Sequence, residues 1–198
     1  DWSSDVCSSD LTYKDFKAYM EKNPDVPVCK MNTVDGRPGG KALLTLILIR
    51  CNLMTAILIE RNTQDCVIEA LDGLCTAMGT TPFRRLCGVI LTDRGSEFRN
   101  TYGDEHDPNG KLRTHVFYCD PYYFWQKGSM EKNHEFIHQI LPKNPSFNWL
   151  TPSYVDRMGS HVNSYSRVQL NDKSPLEVAE FLTEKQLFAD MRQKLIRQ

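Results

Sequence analysis

The sequence has no excess of positive charge. It contains 24 lysines and arginines against 25 aspartates and glutamates, which gives a formal net charge of −1. A uniformly basic nucleic-acid-binding surface is therefore excluded, and any contact with nucleic acid must be a local patch. Apolar residues make up 40% of the chain and charged residues 25%, which is typical of a folded globular domain and not of a disordered chain.

The sequence also lacks a long apolar run, a signal peptide and a CxxC pair. The longest apolar run, 42–49, contains Thr45 and stops at Arg50, far short of the ~20 residues that cross a membrane. The seven cysteines show no zinc or redox spacing, so we expect reduced thiols. These absences predict a cytoplasmic protein without a membrane partner, associated with the nucleoid if DNA is its partner.

Three segments differ in composition. Residues 1–10 form a Ser/Asp-rich stretch without periodicity, which we interpret as a non-native or disordered leader. Residues 11–182 carry the strand and helix patterns of a folded core. Residues 183–198 predict a basic amphipathic helix as a C-terminal tail.

Hydrophobic periodicity within the core predicts three strands, a helix, two further strands and then helices. The strands are expected at Val28–Val34, Ala42–Arg50, Met54–Glu60, Gly88–Thr92 and Thr114–Cys119. The helices are expected at Tyr13–Asn23, Thr63–Met78, Gly128–Leu141, Ser153–Tyr165 and Ser174–Phe181. This order predicts an α/β protein with a mixed sheet and helices on both faces.

Two acidic residues stand where a catalytic site would need them. Asp93 follows the buried strand 88–92 and precedes a glycine turn, at the sheet edge where α/β proteins bind ligands. Glu131 lies in the first turn of a helix, after an aromatic- and lysine-containing loop. Without a catalytic role, Asp93 would only shape the turn, and Glu131 would only stabilise its helix through the helix dipole. Together, carboxylates from separate elements are what divalent ions need to promote phosphoryl transfer.

Cations and aromatics surround these acids and suit contact with DNA phosphates, sugars or bases. The candidates for DNA binding are Arg94, Trp125, Lys127, Lys132 and Asn133. For the basic residues the alternative is a solvated surface, and for Trp125 it is packing in the core. Arg84 and Arg85 have the same two interpretations.

Four segments, 31–36, 39–41, 91–98 and 125–133, resemble the integrase-type (DDE) core of bacterial insertion-sequence transposases of the insertion-sequence-thirty family. The resemblance runs from about Tyr13 to Phe181. It implies a ribonuclease-H-like fold with a five-stranded mixed sheet in the order 3-2-1-4-5. It also implies metal-dependent DNA strand cleavage and transfer. Asp93 and Glu131 match the second and third acids of the family and are separated by 37 residues, close to the family's typical spacing.

The first acid of the family is replaced by Asn32. An amide retains one coordinating oxygen but loses the charge and the second carboxylate oxygen. We therefore expect weak metal binding and impaired DNA cleavage, with Asn32, Asp93 and Glu131 as the catalytic and metal-binding positions. Asp35 is a poor substitute, because three positions along a strand lead to the opposite face.

The resemblance also implies a cofactor and partners. These are Mg²⁺ or Mn²⁺ in a two-metal site, DNA as both transposon ends and target, and a homo-oligomer assembled on DNA. The family's helix-turn-helix module has no counterpart in the sequence, so we expect a fragment without sequence-specific DNA recognition.

Two alternatives remain at this point. His134-Glu135-x-x-His138 matches the HExxH pattern of zinc metallopeptidases, with Glu177 or His161 as available third ligands. Three fixed positions match often by chance, and the same helix already carries Glu131. The other alternative is a non-catalytic DNA-binding remnant, which Asn32 makes worth considering.

Overall fold

A computed structural model describes residues 11–120, 128–141 and 146–182, with only the backbone described for residues 128–132. The expected leader at 1–10 and tail helix at 183–198 lie outside the described residues. The domain boundaries therefore stay predictions. None of the helices within the described ranges is long and apolar enough to cross a membrane.

A five-stranded mixed sheet forms the centre of the fold. Its strands are β1 (Val28–Asp35), β2 (Ala42–Leu48), β3 (Leu53–Ile59), β4 (Val89–Thr92) and β5 (His115–Tyr118). The strand order is β3-β2-β1-β4-β5, which confirms the predicted order 3-2-1-4-5. The first three strands form an antiparallel meander, while β4 and β5 run parallel to β1. Parallel strands need long connections, and helices provide them here.

Helices surround this sheet. They are α1 (Tyr13–Lys22), α2 (Gln64–Met78), α3 (Thr80–Leu86), α4 (Thr101–Glu105), α5 (Gly128–Ile140), α6 (Pro152–Ser164) and α7 (Pro175–Leu182). Threonine side chains at positions 12, 63 and 151 cap α1, α2 and α6 by accepting backbone N–H groups that the first turn leaves unpaired. The sequence predicted the five long helices of this set but not the short helices α3 and α4.

Side chains alternate across the sheet, so each strand contributes to a core on both faces. On one face, α2 and α3 pack against the sheet through residues such as Leu71 and Phe83. On the other face, α5 and α6 cover β2 and β3, while α1 covers β4 and β5. On β1, Val28 packs with the cluster of α1 and Val34 with the cluster of α5 and α6, and Asn32 lies between these two positions.

Asn163 in α6 has a structural role that sequence reasoning did not find. Its side chain is buried, accepts a hydrogen bond from the Met54 backbone N–H at 2.9 Å and donates one to the Met54 carbonyl at 2.7 Å. Met54 belongs to β3, which stands at the edge of the sheet. An edge strand exposes unpaired backbone groups that invite pairing with other chains. Asn163 satisfies two of these groups and ties the strand to α6.

The cysteines correct one expectation. All seven were expected to be reduced, but the structure joins Cys29 of β1 to Cys87, which precedes β4, in a disulfide. Their Cα atoms lie 5.3 Å apart, within the range for a disulfide, because β1 and β4 are neighbours in the sheet. The two residues are 58 positions apart in sequence, so no local spacing pattern signalled the pair.

Candidate active site

Asn32 and Asp93 come together at the carboxyl-terminal ends of β1 and β4. The parallel register pairs Val28 with Val89 and Lys30 with Leu91. The same offset of 61 positions places Asn32 beside Asp93. The hydroxyl of Thr92, the residue before Asp93, donates a 3.0 Å hydrogen bond to the carbonyl of Met31, the residue before Asn32. The two strands therefore remain in contact up to the candidate site.

The side chain of Asn32 belongs to the face of the sheet that α5 and α6 cover. Asn32 is paired in register with Thr45 of β2, and directly opposed residues share a face. The Thr45 hydroxyl donates a 3.0 Å hydrogen bond to the Asn32 carbonyl and lies 3.3 Å from Nε2 of His134 in α5. Asp93 shares this face with Val89 and Leu91 through strand alternation.

The loop after β4 orients Asp93. The Gly95 backbone N–H donates a 3.0 Å hydrogen bond to Oδ1 of Asp93. A Cβ atom at position 95 would come within 2.6 Å of the Glu97 carboxylate, so a side chain there would displace that group. Because that group is the end of a flexible side chain, a small residue at position 95 would require only a movement of Glu97. Asp93 is only partly buried, which leaves its carboxylate access to solvent.

Helix α5 brings Glu131 into the neighbourhood. Glu131 lies in the first turn of α5, three positions before His134, and positions i and i+3 are neighbours along a helix. His134 contacts Thr45, which is the register partner of Asn32. The side chain of Glu131 lies outside the described residues. Its role as the third acid stays a prediction.

A second acidic cluster lies on the opposite face of β1. The Glu97 carboxylate accepts a 2.9 Å hydrogen bond from the Thr33 hydroxyl, and Asn62 donates to Asp35 at 3.2 Å and to Glu97 at 3.4 Å. Desolvation raises the pKa of Asp35, the hydrogen bond from Asn62 opposes this, and the charge of Glu97 raises it further. β1 pairs with β2 as far as Asp35, so Asp35 does not share the face of Asn32 and is no substitute for the missing acid.

The residues predicted to bind DNA lie in different environments in the structure. Arg94 is exposed, and its guanidinium lies 5.9 Å from the centre of the Tyr118 ring. Asn133 is fully buried, so in this structure its side chain offers no surface to DNA. Trp125 and Lys127 lie outside the described residues, as does the side chain of Lys132.

Three curated insertion-sequence transposases are similar to the chain. The transposase for IS1086 from Cupriavidus metallidurans is 33% identical over 126 residues, covering 62% of this chain and 37% of that protein. The transposase for IS4351 from Bacteroides fragilis is 27% identical over 94 residues, covering 48% and 28%. Transposase InsI for IS30A from Escherichia coli is 32% identical over 65 residues, covering 33% and 17%. The chain is homologous to the core of IS30-type transposases.

The solved structures agree with this at the level of fold. A chain of the simian T-cell lymphotropic virus intasome, in complex with a PP2A regulatory subunit, matches with a TM-score of 0.53 at 12% identity. The match covers 76% of this chain and 53% of that chain. At this identity the match shows an integrase-type, ribonuclease-H-like fold and nothing further. No model of a known protein family matches the chain. The chain spans between 17% and 37% of the length of the curated relatives given above.

The HExxH motif has no support as a zinc site in this chain. Nε2 of His134 lies 3.3 Å from the Thr45 hydroxyl, and Nδ1 of His138 is buried without a hydrogen-bond partner in the described part of the chain. The candidate third ligands are placed elsewhere: Glu177 accepts from Ser174, and His161 contacts Tyr165. Within the described ranges, no three His, Cys, Asp or Glu residues form a group able to hold a metal.

Proposed function

We propose that the chain acts in DNA strand cleavage and transfer, as the catalytic core of a transposase, and that Asn32 slows this reaction. The observation that supports the proposal is the position of Asn32 beside Asp93, inferred from the strand register and the Thr92–Met31 hydrogen bond, since α/β proteins commonly bind ligands at the carboxyl ends of their strands. Homology to insertion-sequence transposases supplies the reaction class. The activity, substrates and partners of the longer relatives are extended to this chain as part of the proposal.

In this proposal Asp93 and Glu131 bind Mg²⁺ or Mn²⁺, and Asn32 stands where the third ligand would be. When bound, two such ions would stabilise the attacking and the leaving oxygens of a phosphodiester. The described donors do not fit a two-ion site, because the amide of Asn32 is neutral and has one oxygen to offer. We therefore assign the chain weak ion binding. Asp93 supplies a described carboxylate on the same face of the sheet as Asn32, and the Gly95 backbone N–H holds it.

The DNA partner would lie across the same edge of the sheet. Arg94 is exposed next to Asp93 and is positioned to contact a phosphate. We propose the same role for Lys127 and Lys132, with Trp125 packing against a sugar or base. Transposon ends and target DNA would both be substrates, and a homo-oligomer on DNA would bring them together.

A strand-joining assay tests the proposal. A labelled duplex oligonucleotide is incubated with plasmid DNA and Mn²⁺, and joined products are separated on a gel. We expect Asn32→Asp to produce joined products and the double variant Asn32→Asp/Asp93→Asn to produce none, because the second change removes the Asp93 carboxylate. Products from both variants, or from neither, would contradict the assigned roles. Products from neither, combined with DNA binding by both, would favour the non-catalytic DNA-binding alternative.

A further inference from the structure

A concave basic surface lies at the pole of the sheet opposite the candidate active site. It encloses about 540 Å³ between the end of α1 and the end of α3. Its lining includes Lys22 from α1 and Arg84 and Arg85 from α3. Its floor lies at Pro27 and Gly88, the residues before β1 and β4. Asn32 and Asp93 each lie five residues further along the chain, about 16 Å away at the usual rise per residue of a strand.

The charge of this basic pocket is unbalanced. Three cations line it against one acid, Asp25. Arg50 adds a fourth cation, because its guanidinium donates a 2.9 Å hydrogen bond to the Asp25 carbonyl. Arg84 and Arg85 are both exposed, and neither takes part in a salt bridge within the described residues. In a chain with net charge −1, this is a local excess of positive charge.

The pocket has a closely packed floor. A Cβ atom at Gly88 would come within 2.8 Å of Val26 and 3.1 Å of the Arg84 carbonyl. The end of α3 is therefore held tightly against the start of β4. Burial lowers the pKa of His115 at the start of β5, and the nearby charge of Arg84 lowers it further.

We propose that this basic pocket binds the phosphate backbone of a DNA segment other than the one at Asp93. Paired arginines recognise phosphate oxygens with directed hydrogen bonds, and Arg84 and Arg85 are adjacent in the pocket lining. DNA along the Asp93 edge would not cover the opposite pole. The proposal rests on the proposed function for its choice of DNA among anionic ligands. A chain that joins two DNA molecules needs contacts with both.

The test is the salt dependence of DNA binding. Fluorescence anisotropy of a labelled 30-base-pair duplex is measured without divalent ions, so that cleavage plays no part. We expect Arg84→Ala/Arg85→Ala to lower the slope of log affinity against log salt by about 0.9 for each phosphate that the variant no longer neutralises. The matched control is Arg157→Ala/Lys173→Ala, which removes the same charge from exposed positions on the α6–α7 side. The control should keep the slope of the unaltered chain.

A substitution that removes a negative charge from the pocket provides a second test. Asp25→Asn removes the acid from the pocket lining and should raise the affinity for DNA about threefold, because a nearby like charge no longer repels the phosphates. A merely structural role for these residues would not give a gain in affinity. Thermal unfolding of each variant establishes that it remains folded.

Several results would overturn the proposal. They are an unchanged slope for the double arginine variant, a decrease in slope equal to that of the control, and no DNA binding by the unaltered chain. A weakening of polyglutamate binding without a weakening of DNA binding would assign the pocket to an acidic protein instead. The strand-joining assay is read independently. Joining with an unchanged salt slope refutes the pocket alone, and a changed slope without joining refutes the proposed function alone.

Discussion

Replacing Asn32 by aspartate is expected to raise the rate of DNA strand cleavage at least about 100-fold, which corresponds to about 3 kcal/mol of transition-state stabilisation. The substitution adds a negative charge and a second carboxylate oxygen beside Asp93. At a separation of ~4 Å and an effective dielectric constant near 20, one pair of unit charges interacts by about 4 kcal/mol. A divalent ion gains more than this before the cost of desolvation is subtracted, so the effect on catalysis should be large.

The matched control for this prediction is Asn148→Asp. Asn148 lies beside the β1–β2 turn, where its Oδ1 accepts a 3.2 Å hydrogen bond from the Lys41 backbone N–H. An aspartate keeps this acceptor, so the control makes the same chemical change away from Asp93. Single-turnover cleavage of a labelled duplex with Mn²⁺ gives the three rates. We expect the control to match the unaltered chain. Equal rates for Asn32→Asp and the unaltered chain would rule out Asn32 as the cause of impairment.

The second large effect concerns stability and its dependence on pH. Asp104 in α4 is 1% exposed, and neither carboxylate oxygen has a hydrogen-bond partner within the described residues. Burial raises the pKa of Asp104 to about 7, opposed by the charge of Arg113 and assisted by that of Glu105. Arg113 is itself fully buried and is paired with Asp72, so it does not depend on Asp104 for a partner.

The direction in which stability changes with pH follows from the raised pKa of Asp104. Below about pH 4 the carboxyl is neutral in both the folded and the unfolded chain, and burial carries no ionisation penalty. Between about pH 4 and pH 7 the unfolded chain loses the proton while the folded chain keeps it, so stability falls as the pH rises. The loss is complete above about pH 7. A difference of three units in pKa amounts to about 4 kcal/mol as an upper bound.

Asp104→Asn should therefore increase the free energy of unfolding by a few kcal/mol at pH 8 and have little effect near pH 4. Urea unfolding at the two pH values measures the difference. Asp172→Asn is the matched control, because Asp172 is exposed and asparagine tolerates its φ of 60°. A variant that is no more stable than the unaltered chain at pH 8 would show that Asp104 is ionised without cost.

The sequence was informative about the sheet because each strand carries its own signal. The apolar run at 42–49 identified β2, and the strand at 28–34 was likewise predicted from local residues alone. The strand order came from the family resemblance. Helices α3 and α4 were missed because they have seven and five residues, too few for a periodic pattern to be distinguished from a turn.

Only part of the candidate site was predicted, because only some of its residues carry a local sequence signal. Asp93 stands next to its own strand and glycine turn, so its position could be read locally. The role of Asn163 could not be predicted, because its partner Met54 is 109 residues away. The Cys29–Cys87 pair and the basic pocket likewise depend on how distant segments pack. Arg84 and Arg85 were noticed in the sequence, but only the neighbouring end of α1 gives them a concave surface.

The central claim is that residue 32 and Asp93 form one metal-binding position, which the amide of Asn32 weakens. Anomalous X-ray scattering from crystals soaked in Mn²⁺ tests this directly. For Asn32→Asp, we predict a manganese peak in contact with the carboxylates of residues 32 and 93. For the unaltered chain, we predict a much weaker peak at the same soaking concentration. A manganese ion of equal occupancy in both crystals, or ions bound only away from Asp93, would contradict the claim.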